Sequence, residues 1–241
     1  MNILSIGNSF SHDAQRYLNG IAKSAGVELK TFNLFIGGCT LSTHYRNMLS
    51  EKPEYTLGMN GESTGFKVSI KDALLNREWD IVTVQQGSHE SVDYEKYQPY
   101  LTELVNYIKK CAPKAKIALH ETWAYEEGSE RLTGKMGYNS QLEMYHDLEK
   151  AYKSAYNDIK ADFVIPSGEL FQKLISAGIE KVHRDTFHAS LGVGRYALGL
   201  LWYAVLCGKD VSDVSFSDFD EPVTDAEISI VKSCVSEIVN K

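Results

Sequence analysis

The chain has 241 residues, and its 32 acidic side chains outnumber 25 lysines and arginines, for a net charge of −7. That balance leaves no electrostatic footprint for nucleic acid and disfavours anionic surfaces, and no stretch reaches the roughly 18 uninterrupted apolar residues of a membrane span. Hydrophobic residues make up 43% of the chain, enough for a sizeable core. With no repeat, low-complexity tract or Ser/Pro-rich linker, one domain over residues 1–241 is expected.

Strand and helix patterns alternate from the start. Residues 2–7 form a short apolar run, too short for the apolar region of a secretory signal, so the sequence as written reads as cytoplasmic; a leader removed beforehand would make the protein periplasmic or secreted. A helix pattern from about Ser11 to Ala25 stops at Gly26, with Ser11 as its cap. Leu29–Ile36 reads as a second strand. Residues 54–70, "EYTLGMNGESTGFKVSI", alternate about a turn at Asn60-Gly61 or Ser63-Thr64-Gly65, which predicts a small β-hairpin insertion. "WDIVTV" (79–84) is the β-branched run of a strand buried on both faces.

Helical periodicity follows over Tyr94–Lys110, ended by Pro113, then a strand at 116–120. The stretch 120–138 is long for a loop and therefore a candidate for function. A helix over about 139–159, a strand at 162–166 and a helix over 167–177 come next. An apolar helix over 190–208 is capped by Ser190 and stopped by Gly208. Thr224 and Glu227 have the spacing of a capping box for a last helix. Such alternation predicts a three-layer α/β/α sandwich around a mainly parallel, flavodoxin-like sheet. In sheets of this kind function collects at the carboxyl ends of the strands.

The four cysteines, at 39, 111, 207 and 234, lack the close pairing of a zinc or redox motif. Cys111, Cys207 and Cys234 read as reduced packing residues and Cys39 as a small side chain filling a loop.

Polar residues gather at three expected strand ends: Gly7-Asn8-Ser9-Phe10-Ser11, Gly37-Gly38-Cys39-Thr40 and Gln85-Gln86-Gly87-Ser88-His89-Glu90. Near the C-terminus "VHRDTFHASLG" sets Asp185 three residues before His188. Taken singly, each has a plain structural reading: Ser9 or Ser11 as a helix cap, Gly37-Gly38 as a turn, Asp185 as a turn cap, His188 as a satisfied buried histidine. His12, His44, His146 and His183 have no motif partner and read as incidental.

Taken together, "IGNSFS", "GGCT", "VQQGSHES" and "DTFH" resemble, in order, the four sequence blocks of the SGNH hydrolases, the GDSL-like esterase/lipase superfamily, and most closely a little-characterised bacterial branch. The resemblance implies a serine esterase fold with Ser9 as nucleophile, His188 as base and Asp185 as its orienting carboxylate. It also implies an oxyanion hole built from the backbone N–H groups of Ser9 and Gly38 and a side chain of the third block. The sequence departs from the family pattern at two points. Asn8 replaces an aspartate, and His89 stands where the family has the donor asparagine, leaving His89 or Gln86 to supply the third donor.

Asn8, Trp123 and Tyr125 are the expected substrate-binding residues, the aromatics walling a sugar-sized cleft. The expected substrate is a small acyl ester, acetyl first, on a small molecule or carbohydrate, with no metal or organic cofactor. No long apolar groove of a lipase is legible. Two other readings stand beside this one. His89, His120, Glu121, Asp185 and His188 are the ligand types of a metal-dependent hydrolase if gathered at one sheet edge. A catalytically silent carbohydrate-binding protein is the third.

Overall fold

The computed structural model describes residues 1–240. Its strands are β1 (Asn2–Gly7), β2 (Lys30–Phe35), β3 (Tyr55–Met59), β4 (Glu62–Val68), β5 (Ile81–Val84), β6 (Lys116–Glu121) and β7 (Phe163–Pro166), arranged β4-β3-β2-β1-β5-β6-β7 in one sheet. Pairing is parallel from β2 through β7 and antiparallel at β2–β3 and β3–β4.

Alternation within the central strands sets the layers, because successive side chains point to opposite faces. Ile3, Ile81, Ala118 and Ile165 enter one core, while Leu4, Ile6, Val82, Val84, Ile117 and Leu119 enter the other. The first core is closed by α1 (Ser9–Gln15), α2 (Leu18–Ser24), and, later in the chain, helices at Ser167–Ser176, Val193–Cys207 and Asp225–Val239. The second lies under α3 (Leu41–Ser50), α4 (Ile70–Leu75), α5 (Tyr100–Cys111) and α6 (Gln141–Ile159). The C-terminal three are α7, α8 and α9 in that order. Helix α8 is apolar nearly all round because α1, α2, α7 and α9 all pack on it. No helix among the described residues is long and apolar enough to cross a membrane.

Three boundaries differ from the sequence reading. The helix expected over 11–25 is two helices, broken at Arg16-Tyr17, where both side chains turn to a distant segment. Arg16 pairs with Asp220, and the Tyr17 hydroxyl donates to the Leu191 carbonyl while accepting from the Asp220 backbone N–H. Helix α1 also starts earlier than expected: its N-cap is Asn8, and Ser11 is the third helical residue, accepting from the Asn8 N–H. The helix expected from Tyr94 begins at Tyr100, because the residue before Pro99 is disfavoured in the helical region. Ser190 still serves α8, its Oγ accepting from the Gly194 N–H, and Thr224 and Glu227 form the expected capping box of α9.

The predicted hairpin is β3–β4, and it extends the main sheet at its edge rather than standing apart. Its turn is Asn60-Gly61, both in the left-handed region with φ of 51° and 83°, the signature of a tight hairpin turn. A Cβ on Gly61 would lie 2.3 Å from the Arg16 carbonyl oxygen. Gly61→Ala is therefore expected to destabilise the protein by about 2 kcal/mol or more, read by urea unfolding. A loss under about 0.5 kcal/mol would mean that the turn relaxes freely.

Candidate active site

The sheet order turns back at β1, which lies between β2 and β5, so a crevice opens beyond the carboxyl ends of β1 and β5. Gly7 closes β1 there. A Cβ at that position would come within 2.3 Å of Ser11 Oγ and 2.9 Å of Gln85 Oε1, so only glycine lets α1 start this close to the strand. The next residue, Asn8, is nearly fully buried, and both polar atoms of its side chain have partners. Its Oδ1 accepts from the Phe10 N–H and from Gln85 Nε2, and its Nδ2 donates to the Cys39 carbonyl. Asn8 thereby fastens the second loop to the first, and it also lines the cleft beside Ser9, where a part in binding substrate was expected of it.

Beyond Gln85 the chain of hydrogen bonds continues inward. His120 Nδ1 lies 2.8 Å from Gln85 Oε1 and Nε2 lies 3.1 Å from Ser167 Oγ. Because Gln85 Oε1 accepts, Nδ1 carries the proton and Nε2 accepts from the serine. Burial against Trp202 and Trp123 pushes His120 down to about 3.

Ser9 is the first residue of α1, half-buried, with its side chain facing the crevice. Its Oγ lies 2.8 Å from His188 Nε2, and His188 Nδ1 lies 2.8 Å from Asp185 Oδ2. Asp185 Oδ1 accepts from the His188 backbone N–H at 3.0 Å, so both carboxylate oxygens hold the same residue. Partial burial opposes ionisation of Asp185, but the hydrogen bonds from the His188 ring and backbone, with Arg184 nearby, keep its carboxyl below the ordinary carboxylate range. An ionised carboxylate only accepts, so the proton sits on Nδ1 and Nε2 is free to take one from Ser9.

The segment carrying His188 is tightly fixed. His183 and Ala189 form a bridge, Arg184 N–H donates to the His188 carbonyl, and Ser190 N–H to the Val182 carbonyl. Thr186 at the tip has φ of 73°, a strained position for a β-branched residue, and its carbonyl is held by the Glu126 N–H. Below the segment lies Asp13, fully buried on α1. Arg184 Nη1 donates to its Oδ1 and Oδ2 at 2.9 and 3.1 Å, Arg195 Nε donates to Oδ1 at 2.9 Å, and the Ala189 N–H donates to Oδ2. Sequence reasoning missed Asp13 and Arg184. The available signal was Asp13's position one helical turn after Ser9, on the same side of α1.

A cleft of about 410 Å³ opens over Ser9 and His188, walled by Phe10, Phe35, Tyr125, Phe187, Arg131, Gly38 and His89 among others. Gly38 sits at φ 63° in an exposed turn, which favours glycine there. His89 is exposed on the rim. Gln86 is elsewhere: fully buried, its Oε1 accepts from the Leu41 and Gly87 N–H groups and its Nε2 donates to the Lys96 carbonyl. The expectation that Gln86 could be the third donor is corrected on that ground. Trp123 is also removed from the cleft wall, being fully buried between Phe10 and Phe171 at 4.1 and 4.6 Å; its Nε1 holds the Phe187 carbonyl. Tyr125 does line the cleft, with its hydroxyl 2.9 Å from Ser88 Oγ.

The metal-ligand reading fails on placement. Both His120 nitrogens are engaged in the interior, and the Glu121 carboxyl is enclosed, pushed up to about 8 by burial, with Oε1 accepting from the Glu169 N–H. No group of three or more His, Cys, Asp or Glu side chains among the described residues is placed to hold a metal ion.

Two outcomes follow from the buried groups. Asp13→Asn removes the carboxylate from two guanidinium groups and is expected to cost about 3 kcal/mol of stability and to speed amide exchange across 184–190; unchanged exchange there would separate Asp13 from the positioning of that segment. For His120, whose level of about 3 lies below the ordinary 6.5, the unfolded chain binds a proton that the folded one refuses. Its contribution is complete above about pH 6.5 and is lost as pH falls toward 3. His120→Gln is expected to flatten stability against pH between about 5.5 and 4 by nearly 1.4 kcal/mol per unit. An unaltered slope in urea titrations would refute this.

The family described as Domain of unknown function (DUF4886) matches residues 2–236. Among solved structures, a DUF4886 family protein from Bacteroides uniformis is 30% identical, with a TM-score of 0.93 over 100% of this chain and 95% of its own. A Slackia heliotrinireducens protein proposed to be an SGNH hydrolase is 22% identical at TM-score 0.63, covering 86% of this chain and 98% of its own. An acetylxylan esterase from Geobacillus stearothermophilus is 16% identical at TM-score 0.53, covering 89% and 94%. No curated protein sequence matches this chain. Matched over nearly its whole length and sharing the architecture of these neighbours, the chain belongs to the DUF4886 family and has the SGNH hydrolase fold.

Proposed function

We propose that the protein is a serine esterase that removes a small acyl group, acetyl first, from a carbohydrate alcohol. The observation that carries this reading is the pair of 2.8 Å contacts joining Ser9 Oγ to His188 Nε2 and His188 Nδ1 to Asp185 Oδ2. A serine hydroxyl is a weak nucleophile until a base takes its proton, and here the base is already in contact. The acetylxylan esterase among the structural neighbours supports an acetyl ester of a sugar as substrate.

In the proposed reaction Ser9 Oγ attacks the acyl carbon as its proton passes to His188 Nε2. Asp185, ionised and bonded through both oxygens, stabilises the imidazolium and holds its ring plane. The oxyanion is met by the N–H of Ser9, one of the donors left open at the start of α1, by the N–H of Gly38, and by the His89 ring. Gln86 is committed to Leu41, Gly87 and Lys96; of the third-block side chains lining the cleft, Ser88 is paired with the Tyr125 hydroxyl, which favours His89 as the donor. His188 then returns the proton to the departing alcohol. Water enters, loses a proton to His188 and releases the acid, restoring Ser9.

Ser9→Ala is expected to lower kcat for 4-nitrophenyl acetate at least about a thousandfold with the fold intact by circular dichroism; undiminished turnover would reject the assignment. His89→Ala is expected to lower kcat by about a hundredfold with little change in KM, as loss of an oxyanion donor does. An unchanged kcat would leave the two backbone groups as the whole oxyanion site.

A further inference from the structure

Arg131 stands out within the cleft. It begins a single π-helical turn, Arg131–Lys135, in the long segment after β6, where the Met136 N–H closes back on its carbonyl and the next residue, Leu132, is fully buried. Its guanidinium carbon lies over the Phe187 ring, 3.9 Å from the centroid, and 5.7 Å from that of Tyr125, whose hydroxyl it also meets. Such contacts hold the group in place, and with five N–H donors it keeps others to bond a ligand.

The surroundings give the cation no protein carboxylate. Among the described residues none lies within ion-pairing distance of Arg131. Glu126, Glu127 and Glu130 on the same segment are exposed, and Glu127 is turned to the Gln141 N–H. No aspartate or glutamate lines the cleft, although the chain as a whole carries seven more acids than lysines and arginines. A fixed guanidinium in an aromatic, acid-free cleft is a receptor for an anion, and its fork geometry matches a carboxylate.

We infer that Arg131 makes the cleft selective for esters whose alcohol part carries a carboxylate, with acidic sugars as the fitting class. This rests on the serine esterase reading above: the acyl group there is too small to carry a charge, so the charge belongs to the alcohol. Phe187 adjoins His188 in sequence, and the two rings lie 3.8 Å apart, tilted by 37°. A carboxylate held by Arg131 is thereby placed on the side of the cleft where the leaving alcohol takes its proton.

The test separates binding from turnover. Ser9→Ala protein forms no acyl-enzyme, so calorimetry with a mono-O-acetyl methyl galacturonide and with its neutral galactoside counterpart reads recognition alone. The acid is expected to bind at least about tenfold more tightly, with the margin shrinking as salt is raised. Adding Arg131→Gln is expected to equalise the two affinities, and Arg131→Lys to keep part of the preference; a purely structural role would weaken both ligands alike. Equal affinities in the Ser9→Ala protein, or a preference that survives Arg131→Gln, would overturn the inference. So would an Arg131-dependent preference for 4-nitrophenyl hydrogen succinate over 4-nitrophenyl butyrate, which would put the charge on the acyl side. Failure of the unmodified protein to hydrolyse either acetyl sugar would count against the esterase reading alone, since the binding comparison does not depend on it.

Discussion

Ser9 and His188 are 179 residues apart in the chain, and what keeps them in register is a buried carboxylate. Asp13 lies one turn along α1 from Ser9 and gathers Arg184, Arg195 and the Ala189 N–H onto its two oxygens. A charge fully removed from water is costly unless it is paired and hydrogen-bonded. The arrangement is therefore close to all-or-none: α1 and the 184–190 segment dock together, or the carboxylate is left uncompensated. Arg195 continues the contact to Asp220, which also holds Arg16. The break between α1 and α2 belongs to the same set of ions.

A second, uncharged network does the corresponding work on the other flank. Asn8, Gln85, His120 and Ser167 form a line of single hydrogen bonds from the Cys39 carbonyl into the interior. Every side-chain nitrogen and oxygen in the line has at least one partner, as a buried polar chain requires if it is to rigidify rather than destabilise. The replacement of aspartate by Asn8 in the first block makes sense in these terms. An amide can donate to the Cys39 carbonyl while accepting from Gln85, and a carboxylate could do only the second.

Much of this was legible in the sequence. Strand and helix patterns alternating along the chain led to the three-layer sandwich, and the β-branched run at 79–84 marked a strand covered on both faces. Asn60-Gly61 was one of two turns the sequence offered, and it is the one formed, as few other pairs tolerate two positive φ values. Ser9, Asp185 and His188 could be placed near one another only through the resemblance of the four blocks, in order, to those of the SGNH hydrolases. Short helices were harder. Helix α3 carries only Leu41, His44 and Met48 inward, too thin a stripe to stand out, and α4 spans six residues. The fates of Gln86 and Trp123 were not readable, since local sequence does not say whether a polar or aromatic side chain turns to the cleft or to a distant backbone carbonyl. Arg131 was hidden for a related reason: its neighbour across the cleft, Phe187, is 56 positions away.

Thr186 bears on how the site can fail. The residues from Arg184 to His188 are cross-bonded to one another and bent over a left-handed apex, so carboxylate and imidazole travel as one rigid vane. Any loosening of its hinge on α1 swings that vane away from the hydroxyl without changing the spacing inside it. Damage to this protein at a distance should therefore silence the nucleophile while its histidine and aspartate remain perfectly paired, a dormant half-machine rather than a scattered one.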